Sequence, residues 1–413
     1  MNRFRVWIRR PAVRDLLTVL LLIAAMVDLW AVMHLLLGTS FAGPTGYNTY
    51  TRQAMAWREG LTHLRADTQA ERERLVSFLE LAEYRDQVYV SFPPLPSVVL
   101  WPLTFLFGMN TPDNLLVKAY ALGACVLMFY TLRRVGYRRM NAALSAFLFC
   151  FASSLLPMTL NGAVWYHAQM LAFFLTAAAV CLLCLDCPTA ALLCYALSVA
   201  CRPFNALYGL PLFITYIRVN RRAGVSLGQT ALSLAPGTVL GLAVAAGLAI
   251  YNAVRFGNPL EFGHNYLAEF SYQGGVQFSI HHVEGHLSTF LWGLPFDIRD
   301  GSVVFRRYGY SLFLACPTLL LMVIWAVTDL CKKRMRWEKA AVLISCLLHG
   351  YFFFFHRTMG GFQLGARYMV DLVPYTFFYL LLTPEKKRLH AAEIFLLIQI
   401  LLFTVVGVTQ VHI

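Results

Sequence analysis

Apolar runs long enough to cross a bilayer recur along this chain of 413 residues, and clusters of Lys and Arg separate them. A helix needs about 20 mainly apolar residues to cross the hydrocarbon core of a membrane. Hydrophobic residues make up 59% of the chain and charged residues 13%, which excludes an ordinary soluble enzyme and a disordered chain. We therefore expect an all-α, polytopic membrane protein that forms one transmembrane domain over residues 1–413.

The apolar runs predict about eleven transmembrane helices. They cover residues 16–37, 114–132, 140–157, 164–185, 188–201, 204–219, 230–251, 309–329, 339–356, 368–382 and 391–411. We interpret the first run as a retained span, because its core is longer than that of a cleaved signal peptide.

The basic clusters give an orientation. They lie before residue 16 and near residues 133–139, 218–222, 332–339 and 386–388. Cytoplasmic loops carry an excess of Lys and Arg, so all five clusters should be cytoplasmic. These cytoplasmic clusters account for the net charge of +13. We therefore expect the lipid bilayer as a partner and no nucleic acid. We expect the N-terminus to be cytoplasmic and the protein to lie in a bacterial cytoplasmic membrane.

This orientation leaves two large extracytoplasmic loops, over residues 38–113 and 253–308. The first holds six Arg against eight Asp and Glu, and the second holds four Arg against five. Residues 94–108 are apolar, but the run is short and contains three prolines. We interpret it as a re-entrant or interfacial helix on the outer face.

The first outer loop carries candidate catalytic carboxylates. Residues Thr68 to Arg85 read as a charged helix, on which Glu80 and Glu83 would be neighbours three positions apart. Adjacent carboxylates at a membrane interface have raised pKa values, which suit a general base. The alternative is the solvated end of a helix. The run from Tyr47 to Trp57 is rich in aromatic and hydrogen-bonding groups, as in an interfacial helix or a sugar-binding surface.

Three isolated arginines, Arg202, Arg357 and Arg367, fall at the outer ends of predicted spans. A charge at membrane depth is costly and indicates an anion site, and the guanidinium fork suits phosphate. The alternatives are snorkelling to the interface or pairing with a carboxylate such as Asp371.

The second outer loop contains His282, Glu284 and His286. The two histidines have a spacing that suits a metal on a helix, but Gly285 weakens the helix prediction. We favour hydrogen-bonding loop residues over a divalent-metal site and predict no cofactor.

Several segments, in order, resemble the GT-C superfamily of glycosyltransferases, which includes protein O-mannosyltransferases and aminoarabinose transferases. The first has Tyr89 and Ser91 before Pro93-Pro94 and an apolar helix that ends in Phe-Gly. Others follow in matching order: Arg202-Pro203, the run from Tyr251 to Gly263, and the run from Gly365 to Pro374 that contains Tyr368.

The resemblance implies an enzyme that takes a sugar from a polyprenyl-phosphate carrier and transfers it to an acceptor on the extracytoplasmic face. A carboxylate would orient the acceptor, and cations would hold the phosphate. The candidates for the carboxylate are Glu80, Asp86, Glu83 and Glu59. Arg202, Arg357 and Arg367 would hold the phosphate. Tyr47, Asn48, Tyr89, Ser91, His167, His264 and Tyr368 would bind the remaining parts of the substrate.

The chain also departs from the family. These transferases carry an acidic residue soon after the first span, but residues 43–50 contain none, and Phe92 stands where a Lys commonly precedes Pro-Pro. Either another acid acts as the base, or the chain keeps the fold without the reaction. A transporter or lipid flippase and a non-catalytic scaffold therefore remain as alternatives.

Overall fold

The computed structural model describes residues 11–79, 81–268, 276–358, 360, 364–365 and 367–411. Within these ranges the chain is almost entirely helical. The helices are α1 Pro11–Leu37, α2 Thr49–Arg58, α3 Gln69–Leu79, α4 Leu95–Phe107, α5 Asp113–Arg134, α6 Arg139–Phe151, α7 Leu155–Met158, α8 Val164–Cys184, α9 Pro188–Cys201, α10 Gly209–Arg222, α11 Leu227–Phe256, α12 Val283–Trp292, α13 Leu312–Ala315, α14 Pro317–Cys331, α15 Trp337–Phe355, α16 Val373–Leu381 and α17 Ala391–Val411.

Five short 3₁₀ helices join some of these elements. They are Gly108–Asn110, Pro203–Tyr208, His264–Tyr266, Ile280–His282 and Arg367–Leu372. The described strands form two antiparallel hairpins. They are β1 Ala82–Tyr84 with β2 Gln87–Tyr89, and β3 Phe296–Arg299 with β4 Ser302–Phe305.

Each of the eleven predicted spans overlaps at least one α-helix in the described residues, although several are divided between two shorter elements. Six helices (α1, α5, α8, α11, α15 and α17) are long and apolar enough to cross a membrane, and α4, α6, α9 and α14 are shorter apolar helices. The prediction of an all-α, polytopic membrane protein is confirmed. The predicted span 309–329 is interrupted, because Pro317 cannot continue a helix and instead begins α14 after Cys316.

Helix α8 lies at the centre of the bundle. Its apolar window is 83% buried, whereas that of α11 is only 11% buried. Helix α8 packs against α5 and α9, and α11 packs against the outer side of α9. A helix that is apolar all round needs neighbours or lipid on every side. Helix α11 therefore offers most of its apolar surface to the bilayer.

The expected helix over Thr68–Arg85 is wrong in its second half. Helix α3 ends by Leu79, and a hairpin follows with Glu83 on β1. Arg85 and Asp86 form the turn with φ of 50° and 57°, a conformation that Asp tolerates well. The hairpin is favoured because it buries Ala82 and Val88. Glu83 therefore does not share a helical face with Glu80, which lies outside the described residues.

Residues 94–108 form a helix, as predicted. Helix α4 is about 20 Å long, shorter than a membrane core of about 30 Å. It packs against α2, where Ser97 Oγ donates to Gln53 Oε1 (2.6 Å) and Arg58 donates to the carbonyl of Thr104 (2.7 Å). Its other side exposes large apolar groups such as Leu106.

The basic clusters within the described residues gather at one end of the bundle, which we call the basic end. Asp15 of α1 pairs with Arg133 and Arg139, joining the start of α1 to the end of α5 and the start of α6. The end of α10 joins the start of α15 through Arg222 and Glu338 (2.7 Å).

The basic end also includes the ends of α14 and α16 and the start of α17. Lys339 Nζ lies 2.6 Å from Asp329, which also accepts from the hydroxyl of Tyr379. Lys386 pairs with Glu393 at 2.8 Å. Helix α15 begins beside this network, and its 19 residues extend about 28 Å towards the other end of the bundle. That distant end of the bundle is called the cavity end below.

Candidate active site

A cavity of about 350 Å³ lies at the cavity end of the bundle. Its wall combines residues next to the start of α8 and the ends of α9, α11 and α15 with residues of the Arg367–Leu372 turn. The ionisable groups of its wall are Arg202, Arg367, Glu261, His264 and His356, together with the phenols of Tyr50 and Tyr368 and the thiol of Cys201. Most of the remaining lining is apolar and aromatic, as in a typical ligand site.

Arg202 reaches this wall because a proline follows it. A residue before proline is disfavoured in the α conformation, and Arg202 has extended backbone angles of −141° and 101°. Helix α9 therefore ends at Cys201, and the chain continues into the Pro203–Tyr208 turn. The predicted position of Arg202 at the end of a span is thus explained by the Arg-Pro pair in the sequence.

Arg202 is held by a buried carboxylate. Its Nη2 and Nε lie 2.7 and 2.9 Å from the same oxygen of Asp371, whose side chain is only 2% exposed. Gln169 of α8 donates to the other oxygen of Asp371 and to the carbonyl of Arg367, both at 2.8 Å. Every carboxylate oxygen of Asp371 thus accepts a hydrogen bond, so this pair satisfies the condition for a stable buried charge.

Tyr368 lies between two guanidinium groups. Its ring centre is 5.1 Å from Arg202 and 5.0 Å from Arg367. Arg367 also lies 5.6 Å from the ring of Tyr166, and its Nη2 donates to the carbonyl of Gly360 (2.6 Å). Aromatic faces attract cations without neutralising them. Arg367 thus lies in the cavity wall against two aromatic rings.

Glu261 supplies a carboxylate to the same cavity. It follows α11 in a turn where its oxygens accept from the main-chain N–H of Gly263 (2.6 Å) and from Asn265 Nδ2 (2.7 Å). Gly263 adopts a φ of 96°, which favours glycine and lets its N–H point back at Glu261. Glu261 is the one acidic residue in the run from Tyr251 to Gly263, which was noted above for its resemblance to the GT-C superfamily. The sequence did not identify Glu261 as a candidate.

His264 is neutral at physiological pH. Burial, together with the nearby His356 and Arg202, lowers the pKa of His264 to about 4. Its ring also packs edge-on against Phe92, with centroids 5.7 Å apart. A neutral imidazole can both donate and accept a hydrogen bond, so His264 adds polarity to the cavity without adding charge.

Three of the predicted substrate-binding residues lie beside the cavity without lining it. Tyr47 stacks on Phe78 and contacts Trp165, which does line the cavity. Asn48 accepts from Arg52 (2.9 Å). Tyr89 donates to Gln87 and packs on Phe256, and burial raises the pKa of Tyr89.

Ser91, His167 and Arg357 also lie outside the wall. The hydroxyl of Ser91 is buried, with no protein partner in the described residues. His167 lies 3.3 Å from the hydroxyl of Tyr120, and its ring is 6.1 Å from that of Tyr50. The main-chain N–H of Arg357 donates to Gln277 (2.8 Å). Of the predicted binding residues, the cavity wall thus contains Arg202, His264, Arg367 and Tyr368.

The predicted carboxylates do not line the cavity where they are described. The side chain of Asp86 is 96% exposed, and that of Glu59 is 54% exposed and lies 3.9 Å from Arg65. Glu83 is exposed on β1. Among the described residues, Glu261 is the carboxylate in the wall, and Asp371 lies behind Arg202.

The histidines of the second loop make hydrogen bonds to the main chain. His282 lies 3.3 Å from the carbonyl of Val276, and His286 lies 3.0 Å from that of Phe354. Glu284 is exposed. Within the part of the chain that the structure describes, no group of three His, Cys, Asp or Glu residues is arranged to hold a metal ion.

Comparisons with known proteins identify similar folds. No protein-family model and no curated sequence matches the chain. The crystal structure of the apo oligosaccharyltransferase of Archaeoglobus fulgidus has a TM-score of 0.51 and 12% identity, covering 96% of this chain and 55% of that one. Crystal structures of ArnT from Cupriavidus metallidurans also match, each with 17% identity over 87% of this chain.

The ArnT structure bound to undecaprenyl phosphate has a TM-score of 0.48 and is covered over 59% of its length; the apo structure has 0.46 and 58%. The chain thus spans a little over half the length of these proteins. The match to the oligosaccharyltransferase extends over nearly the whole of this chain. The chain therefore has an all-α membrane fold similar to that of the oligosaccharyltransferase.

Proposed function

We propose that this chain is a membrane glycosyltransferase that moves a sugar from a polyprenyl-phosphate carrier to an acceptor. The observation that carries the proposal is a single cavity whose wall contains two arginines and a carboxylate. Glycosyl transfer from a lipid phosphate requires both kinds of group, cations for the leaving phosphate and a base for the acceptor.

The arginines suit the phosphate. Arg202 is fixed by Asp371, so its guanidinium is oriented before a substrate binds. Arg367, which lies against aromatic rings, offers charge to an anion. As the bond from the anomeric carbon to the phosphate oxygen breaks, the phosphate takes the bonding electron pair. The two guanidinium groups stabilise that growing negative charge, and Arg binds phosphate oxygens through two donors at once.

Glu261 suits the acceptor. The acceptor hydroxyl oxygen forms the new bond to the anomeric carbon, and its proton passes to the carboxylate of Glu261. This assignment gives the chain a base although residues 43–50 have no acid. Two donors, Gly263 N–H and Asn265 Nδ2, fix the orientation of that carboxylate.

The aromatic and apolar lining suits a sugar joined to a prenyl chain. Tyr50, Trp165 and Tyr368 offer ring faces for a sugar. Leu260 and Phe278 line the cavity and are 81% and 42% exposed. Exposed apolar groups at the rim give a prenyl chain a path from the cavity into the bilayer.

The orientation and membrane form part of the proposal. The basic end would be cytoplasmic, with the N-terminus, and the cavity would face the opposite side of a bacterial cytoplasmic membrane. Residues 38–113 and 253–308 would then be the two extracytoplasmic loops that surround the cavity.

The test is transfer by the purified chain in proteoliposomes, with a set of polyprenyl-phosphate sugars labelled in the sugar. We expect label to leave the carrier and polyprenyl phosphate to be released. Arg367→Gln should reduce turnover about 10²–10³-fold, as loss of an oxyanion donor does in other enzymes. Glu261→Gln should reduce it about 10²–10⁴-fold, as loss of a general base does.

Two results would contradict the proposal. Normal turnover in a folded Arg367→Gln variant would show that Arg367 does not hold the phosphate. The matched control is Arg367→Lys, which keeps the positive charge. Movement of labelled lipid across the bilayer without release of polyprenyl phosphate would instead indicate a flippase.

A further inference from the structure

A second cavity, of about 620 Å³, lies at the basic end of the bundle. It is formed by the loop before α6, the outer side of α14 and the segment between α16 and α17. Its volume is within the range of small-molecule sites. It lies at the opposite end from the candidate active site, and nothing in the proposed transfer reaction uses it.

Two of the carboxylates in this cavity already have partners. Glu393 accepts from Lys386 (2.8 Å), from the indole N–H of Trp325 (2.6 Å) and from the main-chain N–H of His390 (2.7 Å). Asp329 accepts from Lys339 (2.6 Å) and from the hydroxyl of Tyr379. These internal pairs form the floor of the cavity and leave its remaining cations uncompensated.

The remaining cations are mostly arginines. Arg138, Arg334 and Arg388 line the cavity and are exposed, and none of them takes part in the ion pairs found among the described residues of this end. Lys387 lies against the cavity with its Nζ 2.5 Å from the carbonyl of Val135. Glu385 is the one further acid in the wall. Four cations against one carboxylate repel one another, and an anion between them relieves that repulsion.

An apolar stripe adjoins these cations. Ile324 of α14 lines the cavity and is 49% exposed. Val323, Val327 and Leu330 on the same helix are 44–60% exposed. In a polytopic membrane protein such a stripe contacts acyl chains. A ligand that fits both features carries a phosphate for the arginines and a hydrocarbon chain for α14.

We propose that this basic-end cavity binds the phosphate of an anionic membrane lipid, whose acyl chain lies along α14. Basic pockets between transmembrane helices suit lipid phosphates, because the guanidinium fork binds phosphate oxygens through two hydrogen bonds. The basic residues of this end therefore include a binding site in addition to the exposed charges that set orientation.

The test is native mass spectrometry of the full chain, purified in a neutral detergent and titrated with phosphatidylglycerol, phosphatidylcholine or soluble glycerol phosphate. The variant Arg138→Gln with Arg334→Gln and Arg388→Gln removes the three cavity arginines. The matched control, Lys332→Gln with Lys333→Gln and Arg336→Gln, removes the same charge from exposed positions of the same end that do not line the cavity.

We expect the wild-type chain to prefer phosphatidylglycerol over phosphatidylcholine. The cavity variant should weaken that binding more than about tenfold, because each cation near an anionic lipid contributes about fivefold. The control should weaken it less than about threefold. Equal weakening by both triple variants, or equal binding of the two lipids, would overturn the proposal. If glycerol phosphate binds as tightly as phosphatidylglycerol, the assignment to a lipid is wrong and the ligand is a soluble phosphate.

Discussion

The two ends of the helix bundle use arginine in opposite ways. At the cavity end, Arg202 and Arg367 are largely buried, and carboxylate, carbonyl and aromatic groups hold them in place. At the basic end, Arg138, Arg334 and Arg388 are exposed and form no ion pair with the described residues. Other arginines of the basic end, Arg133, Arg139 and Arg222, do pair with carboxylates. The contrast is therefore between the arginines that line the two cavities.

Burial decides the energetic weight of each charge. An exposed ion pair contributes little, because water screens it and long side chains lose entropy in forming it. A buried charge that loses its partner costs far more. The basic end also contains a buried ion pair, because Lys339 and Asp329 are 2% and 7% exposed and lie 2.6 Å apart. The comparison is therefore between buried and exposed charges, and the predictions below test it in that form.

The largest effect at the cavity end should come from Asp371→Ala. The change leaves the guanidinium of Arg202 without its carboxylate and removes an acceptor from Gln169. We expect the free energy of unfolding in mixed micelles to fall by about 3–5 kcal/mol. Asp86→Ala, at a side chain that is 96% exposed, is the control and should change it little. Equal losses of unfolding free energy in the two variants would contradict the contrast between buried and exposed charges.

Acidification should weaken the cavity end by a smaller amount. The pKa of His264 is lowered to about 4, whereas the unfolded chain binds that proton near pH 6.5. Its contribution to stability is therefore complete above pH 6.5 and is lost as the pH falls from 6.5 towards 4. We expect a loss of no more than about 2 kcal/mol between pH 7 and pH 5.

The measurement is the unfolding free energy of the wild-type chain and of His264→Asn at both pH values. The wild-type chain should lose more stability than the variant does. An identical pH dependence in the two proteins would show that His264 does not contribute.

Removing the exposed arginines of the basic end should have a still smaller effect on stability. We expect Arg138→Gln, Arg334→Gln and Arg388→Gln each to change the free energy of unfolding by less than about 0.5 kcal/mol in detergent without anionic lipid. Lys339→Met, at the same end, should cost about 3–5 kcal/mol because it leaves Asp329 buried without its partner. If Lys339→Met lowers the free energy of unfolding no more than the three exposed substitutions do, burial does not determine how much a charge contributes to stability.

The exposed acids of the first loop should have the smallest effect on transfer. Glu59→Gln and Asp86→Asn lie outside the cavity wall, so we expect turnover within about twofold of wild type. Glu261→Gln, measured in the same assay, is the contrasting change. A large loss of turnover in Asp86→Asn, with no loss in Glu261→Gln, would indicate that the catalytic base lies in the first loop.

Much of the fold follows from local sequence. The eleven expected spans all overlap helices, and proline explains where α9 ends and α14 begins. The charged helix over Thr68–Arg85 was wrong in its second half, because the burial of Ala82 and Val88 in a hairpin outweighed the helical pattern. The local pattern of apolar and charged residues does not predict such contacts.

The candidate site was harder to predict. Arg202, Arg367, Tyr368 and His264 were predicted and line one cavity. Glu261 was missed because a single acid in a loop gives no signal of what it faces. Asp371 was considered as a partner for the arginines, but its pairing with Arg202 joins residues 169 positions apart, and sequence spacing does not predict that contact.

The sequence alone determined that this is a helical membrane protein with its positive charge concentrated between particular spans. Those properties depend on the length of apolar runs and on where Lys and Arg interrupt them, and both are local. Only the tertiary structure decided which charges are buried and which carboxylate reaches the cavity. It also decided which basic residues surround the second cavity, because each of these depends on contacts between helices far apart in the chain.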